Sequence, residues 1–465
     1  MSRTVRHLVR DMRSRDARVE GRDGPSQGAD LRMMRQLNRL LVLNCVREAG
    51  PMARVKIAAR TGLSRTTVSS IVDTLLKEGL VREGNLLDAA PGGGRRAILV
   101  HFNADAGYIL GVDMGRTHFT VIATNLAAAI SASHSGPFDA DLGPGICLPL
   151  LTAELRAFAE RNHIPWHRVV GIGVGIPGPI DVLRRTLVSP PRMPGWDRVD
   201  IRQILGHDLG VPVFLDNDAN MGALGESRFG AGRGVQQLAY IKVGTGIGCG
   251  LVIDGNVYRG SCGSAGELGH VTVDADGPLC DCGNRGCLET LAGAQAIVQQ
   301  AQASATSAPS PVPLADVADV VSAARAGHAS SREALAAAGS AIGVALAGLV
   351  NLVNPAVIII AGGVAHAGDL LLEPIRSAIV SRSLSIASSQ TRVRVAELGD
   401  NAIALGGVAT VLEAAFGASL PGSDNLIPLP TASLTGMRAG AIYLGSLAGA
   451  DERDGPAQQV AQASR

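Results

Sequence analysis

Apolar positions first fall into helical register in the stretch LRMMRQLNRLLVLNCVREAG, where Leu37, Leu40, Leu41 and Cys45 form one stripe and Gly50 closes the segment. A short helix over RVKIAARTG follows, then the tight turn Gly62-Leu63-Ser64. The next segment, SRTTVSSIVDTLLKEGLV, carries Val68, Ile71, Val72, Leu75 and Leu76 as its buried stripe. Ser64 suits an N-cap and Gly79 a stop. Two short helices joined by a Gly-containing turn make a helix-turn-helix. The stretch LVREGNLLDAAPGGGRRAILVHF then alternates as a hairpin should, forming a wing with Arg95 and Arg96 at the end of its Gly-rich tip.

From Tyr108 the pattern becomes strands interleaved with helices, the signature of an α/β fold. YILGVDMGRTHFTVIATNL reads as strand, turn, strand, and LPLLTAELRAFAERNHI as an amphipathic helix. VVGIGVGIPGPID is a buried strand ending in a Gly/Pro loop. VPVFLDNDANMGALGESRFG is a strand, a polar loop and a helix. AYIKVGTGIGCGLVIDGNVYRG is a hairpin turning at Gly244-Thr245-Gly246-Ile247-Gly248. Residues 301–313 read as a loop. From Ala334 to Gly368 there is no Asp, Glu, Lys or Arg, but Asn351, Asn354 and Pro355 interrupt the run. A buried helix followed by a buried strand fits that pattern better than a membrane span. GDNAIALGGVATVLEAAF is predicted as a final helix.

Composition sharpens this division. The chain has 465 residues and a formal net charge of +1, yet residues 1–101 hold 19 Lys+Arg against 10 Asp+Glu, and the rest hold 23 against 31. A basic front and an acidic body suit a polyanion-binding module joined to a different domain. Aromatics at 3% argue against a stacking platform for single-stranded nucleic acid. Residues 1–28 are polar and Arg-rich and read as a disordered arm; residues 418–465 read as a mostly disordered tail. The Arg-rich start has no apolar run behind it, so no signal peptide is predicted and a cytoplasmic protein is expected. Lysine occurs only at Lys56, Lys77 and Lys242, which we read as genomic base composition rather than chemistry.

The buried stripe of the second helix leaves Arg65, Thr66, Thr67, Ser69 and Ser70 on its outer face, where they could reach phosphates and base edges in a major groove. With Arg95 and Arg96 in the wing, double-stranded DNA is the expected partner. His270 followed by CDCGNRGC brings one imidazole and the thiols of Cys280, Cys282 and Cys287 together in number and type for a tetrahedral zinc ion. Four protein ligands close such a site, making it structural. Asp218, in LDNDAN, could accept a proton from a substrate hydroxyl or could simply cap a helix. Glu267, three residues before His270, would be held by the metal loop and suits polyol hydroxyls, or lies on the surface. The glycine turn at 244–248 could cradle phosphate or be a plain hairpin turn.

The ordered motifs GVDMGRT, GIPGPID, LDNDAN, VGTGIGCG, GELGH, CDCGNRGCLE and VIIIAGGV make the chain resemble the ROK family of repressors, open reading frames and sugar kinases, over roughly Leu31 to Phe416. The resemblance implies a winged helix-turn-helix, as in the family's regulator branch, followed by an actin-like, hexokinase-like (ribonuclease H-like) pair of α/β domains with a cleft between them. The domains would be a winged helix over 29–101, a small subdomain over 107–217 completed by 399–416, and a large subdomain over 218–398 with the zinc site. It implies nucleotide-phosphate contacts at Asp113, Gly115 and Thr117 and at Gly244, Thr245 and Gly246. It implies a kinase base at Asp218, sugar contacts at Asn217, Asp218, Glu267, His270 and Glu289, and a pocket-flanking loop at Gly175, Pro177 and Gly178. His270 would serve both zinc and sugar. Two positions depart from the family pattern: Arg116 replaces the second glycine of the phosphate loop, and His118 replaces a lysine. Arg116 would crowd the phosphate path or hold an anion there, which counts against ATP.

The expectation is therefore a sugar-responsive transcriptional regulator, a repressor of carbohydrate-metabolism genes, binding its operator as a homodimer or a dimer of dimers. The alternative is an ATP-dependent, glucokinase-like sugar kinase, with or without a regulatory role.

Overall fold

The computed structural model describes residues 27–86, 97–181, 186–188, 193–304 and 313–417. Arg95 and Arg96, most of the expected arm and the whole expected tail lie outside them.

The first helix, α1, runs Gln27–Ala49. It therefore begins inside the segment expected to be an arm. Its buried face is Val42, Leu43, Cys45 and Val46, while Leu37 is exposed and Leu40 and Leu41 are half-buried. Of the expected stripe, Cys45 is buried and Leu40 and Leu41 are half-buried, while burial concentrates towards the helix's C-terminal end. β1 (Met52–Ala53) leads into α2 (Arg54–Thr61) and α3 (Arg65–Glu78). Gly62 ends α2 in the left-handed region at φ 70°, and the Ser64 hydroxyl caps α3 by accepting from the Thr67 N–H at 3.1 Å. β2 (Val81–Leu86) pairs antiparallel with β3 (Ile98–Phe102), and β1 joins the other edge of β3. Helix-turn-helix and wing are both present.

A succession of strands and helices then follows in an order that occurs twice. In the first repeat, β4 (Tyr108–Met114), β5 (His118–Asn125) and β6 (Ile130–Pro137) form an antiparallel meander. Helix α4 (Pro144–Arg161) returns the chain to β7 (Val169–Ile176), parallel to β4. A two-stranded ribbon, β8 (Ile180–Asp181) and β9 (Thr186–Leu187), precedes α5 (Ile201–Leu209). Then come β10 (Val213–Asn217), parallel to β7, and α6 (Asp218–Phe229). The sheet order is β10-β7-β4-β5-β6.

The second repeat has the meander β11 (Leu238–Val243), β12 (Ile247–Ile253) and β13 (Asn256–Tyr258). Helices α7 (Leu288–Ala292), α8 (Ala294–Ser304), α9 (Val317–Arg325) and α10 (Ala329–Val353) lead to β14 (Val357–Ala361), parallel to β11. Helices α11 (Asp369–Arg382) and α12 (Ser385–Ser388) lead to β15 (Arg392–Val395), and α13 (Ala402–Phe416) ends the described chain. The order β13-β12-β11-β14-β15 repeats the first sheet. Helix α10 is long and apolar enough to cross a membrane, but Leu335, Ile342, Leu346 and Val350 on it are fully buried in the core against the second sheet, as expected for a core helix.

Helices α6 and α13 hold equivalent places in the two repeats and pack on each other. Glycines set how closely α13 can lie. A Cβ on Gly406 would meet the Met221 carbonyl oxygen at 1.8 Å, and one on Gly173 would meet that of Gly407 at 2.1 Å. Backbone touches backbone there, which no larger residue permits. The far end of α13 is buried in the winged helix. Phe416 meets Phe102 edge-on at 6.0 Å, Arg47 lies 5.0 Å above its ring, and Asn44 Nδ2 donates to its carbonyl at 2.7 Å. Val42, Leu43, Val72, Leu412 and Phe416 belong to one apolar core.

Candidate functional site

The parallel strands β4, β7, β10 and β11 all end where the candidate residues lie, the usual ligand position for open α/β sheets. Asp113 is the sixth residue of β4 rather than part of the turn, and only 4% exposed. Its Oδ2 lies 3.7 Å from His118 Nε2, while its Oδ1 is buried without a hydrogen-bond partner among the described residues. Asn217 ends β10 and is the N-cap of α6, its Oδ1 accepting from the Ala219 and Asn220 N–H groups. Its Nδ2 donates to the Gly178 carbonyl at 3.1 Å, joining it to the Gly/Pro loop.

Asp218 is therefore the first helical residue rather than the cap, and is 7% exposed. Its Oδ1 accepts from the Ala219 N–H at 2.8 Å, and its Oδ2 from Lys242 Nζ at 2.8 Å. Lys242 is not among the sequence candidates, yet it joins the site. Burial alone would drive its ammonium to lose its proton, but the carboxylates of Asp218 and Asp113 outweigh burial and hold that proton more tightly than an ordinary lysine does. The available signal was a single charge within the apolar strand LAYIKV. Beside it, Asp216 accepts from Arg259 Nε at 2.8 Å and Nη2 at 2.6 Å, a two-pronged pair joining β10 to the segment after β13.

Glu267 opens a short turn, Leu268–His270, laid on β12. Gly266, at φ +94°, makes this possible, since a Cβ there would meet the Cys249 carbonyl oxygen at 2.0 Å. Burial raises the Glu267 carboxyl pKa, His270 opposes that rise, and Asp218 and Glu289 reinforce it. These four groups thus share one electrostatic neighbourhood. Glu289, on α7, lies 3.8 Å from His270 Nδ1 and 3.5 Å from Cys280 Sγ.

The donor atoms of His270, Cys280, Cys282 and Cys287 all lie within 4.8 Å of one another. Cys282 and Cys287 Sγ are 3.6 Å apart, and Cys280 Sγ is 3.7 Å from His270 Nδ1. Two thiolates bound at about 2.3 Å around a tetrahedral ion would be about 3.8 Å apart, so these spacings fit one metal ion. The Asn284 backbone N–H pulls the exposed Cys282 thiol down to about 7.

Around the expected phosphate loops, Arg116 is turned onto Asp141, with Nη2 at 2.7 Å and Nε at 3.2 Å. Its charge is committed to its own domain. The turn at Gly244–Gly246 is closed by Gly244 N–H donating to the Gly246 carbonyl at 2.9 Å. A Cβ on Gly246 would lie 3.0 Å from Glu289 Oε2, a carboxylate at the edge of that loop. On α3, Arg65, Thr66 and Ser70 are exposed, whereas Thr67 and Ser69 are half-buried. Thr66 and Thr67 hydroxyls each lie 2.8 Å from the Ser64 hydroxyl.

Residues 109–414 match the ROK family, and residues 36–83 match the MarR family. The chain belongs to the ROK family. Among ROK relatives, the xylose repressor of Bacillus spizizenii is 32% identical over 385 residues, 83% of this chain and 97% of its own. A glucokinase of Halalkalibacterium halodurans is 34% identical over 309 residues, 64% of this chain and 93% of its own. The second match lacks room for the DNA-binding part; the first does not. The crystal structure of a ROK family transcriptional regulator, a homologue of the Escherichia coli MLC protein, superposes with a TM-score of 0.70 at 26% identity, covering 83% of this chain and 97% of its own. The fold is a MarR-like winged helix followed by the actin-like ROK core.

Proposed function

We propose that this ROK protein is a sugar-responsive, DNA-binding transcriptional repressor of carbohydrate-metabolism genes, acting in the cytoplasm as a homodimer. The observation that carries the reading is α13. It packs along α6, whose first residue is Asp218, and ends at Phe416 inside the winged helix. A sugar that moves one repeat against the other therefore moves the DNA-binding module. Relatives named for xylose repression support a pentose as the first ligand to test.

Asn217, Asp218, Glu267, His270 and Glu289 supply acceptors and donors for a polyol, and Arg65, Thr66 and Ser70 face the operator. Zinc fits His270, Cys280, Cys282 and Cys287; bound there it crosslinks the loop and supplies no open coordination position. With zinc bound, His270 would offer one ring nitrogen to the metal and could leave the other for a sugar. Two half-sites on DNA call for two-fold symmetry, hence the homodimer. For near-complete switching, the sugar must prefer one state by about 5.5 kcal/mol.

A sugar kinase is the second reading, favoured by Asp218 being bonded to Lys242, two residues before the Gly244–Gly246 turn, and by the related glucokinase. One experiment separates the two. The protein is titrated onto its own upstream DNA at stated salt, with and without a sugar panel, alongside an ATP-turnover assay. Specific binding altered by one sugar is the expected result. Turnover without specific DNA binding would replace the repressor with the kinase.

A further inference from the structure

The least expected group in the cleft is Lys242. It sits on β11, the central strand of the second sheet, opposite Gly248 on β12 and Ala361 on β14. Its Nζ crosses to Asp218, which follows directly from β10 of the first sheet. Asp113, at the end of β4, also acts on that ammonium. Asp113, on β4, and Asp218, the first residue of α6 after β10, are both buried carboxylates, and Asp113 Oδ1 has no hydrogen-bond partner among the described residues. Two such carboxylates are hard oxygen ligands of the kind a divalent cation takes. A buried carboxylate is stabilised by a cation paired to it, and for Asp218 the chain supplies one itself.

We propose that Lys242 is the fixed cation of this cleft, paired to Asp218 where a metal–nucleotide would bring its divalent ion, and holding Asp218 as a hydrogen-bond acceptor for a sugar hydroxyl. This inference rests on the reading of the cleft as a sugar site. Asp218 keeps lone pairs for a hydroxyl, because each carboxylate oxygen can accept more than one hydrogen bond. Taking the hydroxyl's proton would instead leave a neutral acid beside a half-buried ammonium and lose the charge-assisted bond. A divalent ion arriving at Asp218 would meet that ammonium, which lies 2.8 Å from the carboxylate, and like charges repel. Lys242 is thus a positioning and selectivity residue: it favours a neutral polyol and disfavours a metal–nucleotide.

The test is titration with Mn2+ alone, followed by its electron paramagnetic signal, on the full-length protein. The zinc-type site is kept loaded, and thermal melts confirm folding. Wild type and Lys242→Arg should bind no Mn2+ at the cleft. Lys242→Met should gain one site, tighter by at least about tenfold, and the double variant Lys242→Met/Asp218→Asn should lose it. Where the Met variant fails to fold, Lys242→Gln removes the charge and keeps donors. Wild type that already binds Mn2+ as tightly as the neutral variants would overturn the proposal. So would a folded neutral variant that gains no site, or a gained site that persists without Asp218. These titrations contain no DNA, so their failure leaves the repressor reading standing, and failure of operator binding leaves the Mn2+ result intact.

Discussion

Truncating Phe416 to alanine tests whether α13 carries the signal from cleft to DNA. The ring is 1% exposed and touches Phe102 and Arg47, both on the winged-helix side. Losing a buried phenyl costs about 3–5 kcal/mol. Within that, the edge-on ring pair accounts for about 1 kcal/mol and the guanidinium over the ring for about another 1. The Asn44 bond goes to the Phe416 backbone carbonyl and survives the change. Allosteric coupling energies are typically about 1–3 kcal/mol, less than the contact removed. The winged helix should therefore keep its hydrogen-bonded helices and strands but decouple from the ROK core. Fluorescence anisotropy on labelled upstream DNA, with and without the responsive sugar, reads this directly. A tenfold sugar effect corresponds to about 1.4 kcal/mol, and in Phe416→Ala it should shrink to within about twofold of no effect. Sugar affinity measured without DNA should stay near wild type. Phe416→Leu, which keeps most of the volume, should cost under about 1.5 kcal/mol and keep most of the response. A folded Phe416→Ala protein with an undiminished sugar effect would refute the route through α13.

Arg65→Ala should weaken operator binding and lower the salt dependence by about one counterion while leaving sugar affinity alone; an unchanged salt slope would remove Arg65 from the interface. Asp218→Asn strands the half-buried Lys242 ammonium without its carboxylate, so it should destabilise the fold by about 1–3 kcal/mol by urea unfolding, and adding Lys242→Met should recover part of that loss. Simple additivity of the two changes would argue that the pair does not interact. Cys282→Ser should lose bound metal by elemental analysis and weaken sugar binding through Glu267 and His270, whereas a metal-free protein with full sugar affinity would uncouple the two sites. Gly406→Ala should cost about 1–3 kcal/mol in thermal unfolding, because its Cβ would press on the Met221 carbonyl; a neutral effect would mean that α13 can back away from α6.

The sequence alone determined whatever depends on local order. Ser64 and Gly62 define the helix-turn-helix through a cap and a left-handed stop, and each acts on backbone within one helical turn of where it stands. Three cysteines packed between 280 and 287 lie close to His270 in the fold, because a loop of that length can hold them together. Strand and helix periods gave the α/β class. The buried face of α1 did not follow from the chain, because Leu37, Leu40 and Leu41 compete equally with Val42, Leu43 and Val46 for burial until a partner surface is chosen; it is the second set that the core takes. The doubled sheet order, the nesting of α13 on α6 and the seating of Phe416 are contacts between residues far apart in the chain, which no local pattern encodes. Lys242 shows the reason most directly. A charge on a buried strand is a defect until its partner is known, and only the tertiary fold brings Asp218 to within 2.8 Å of it.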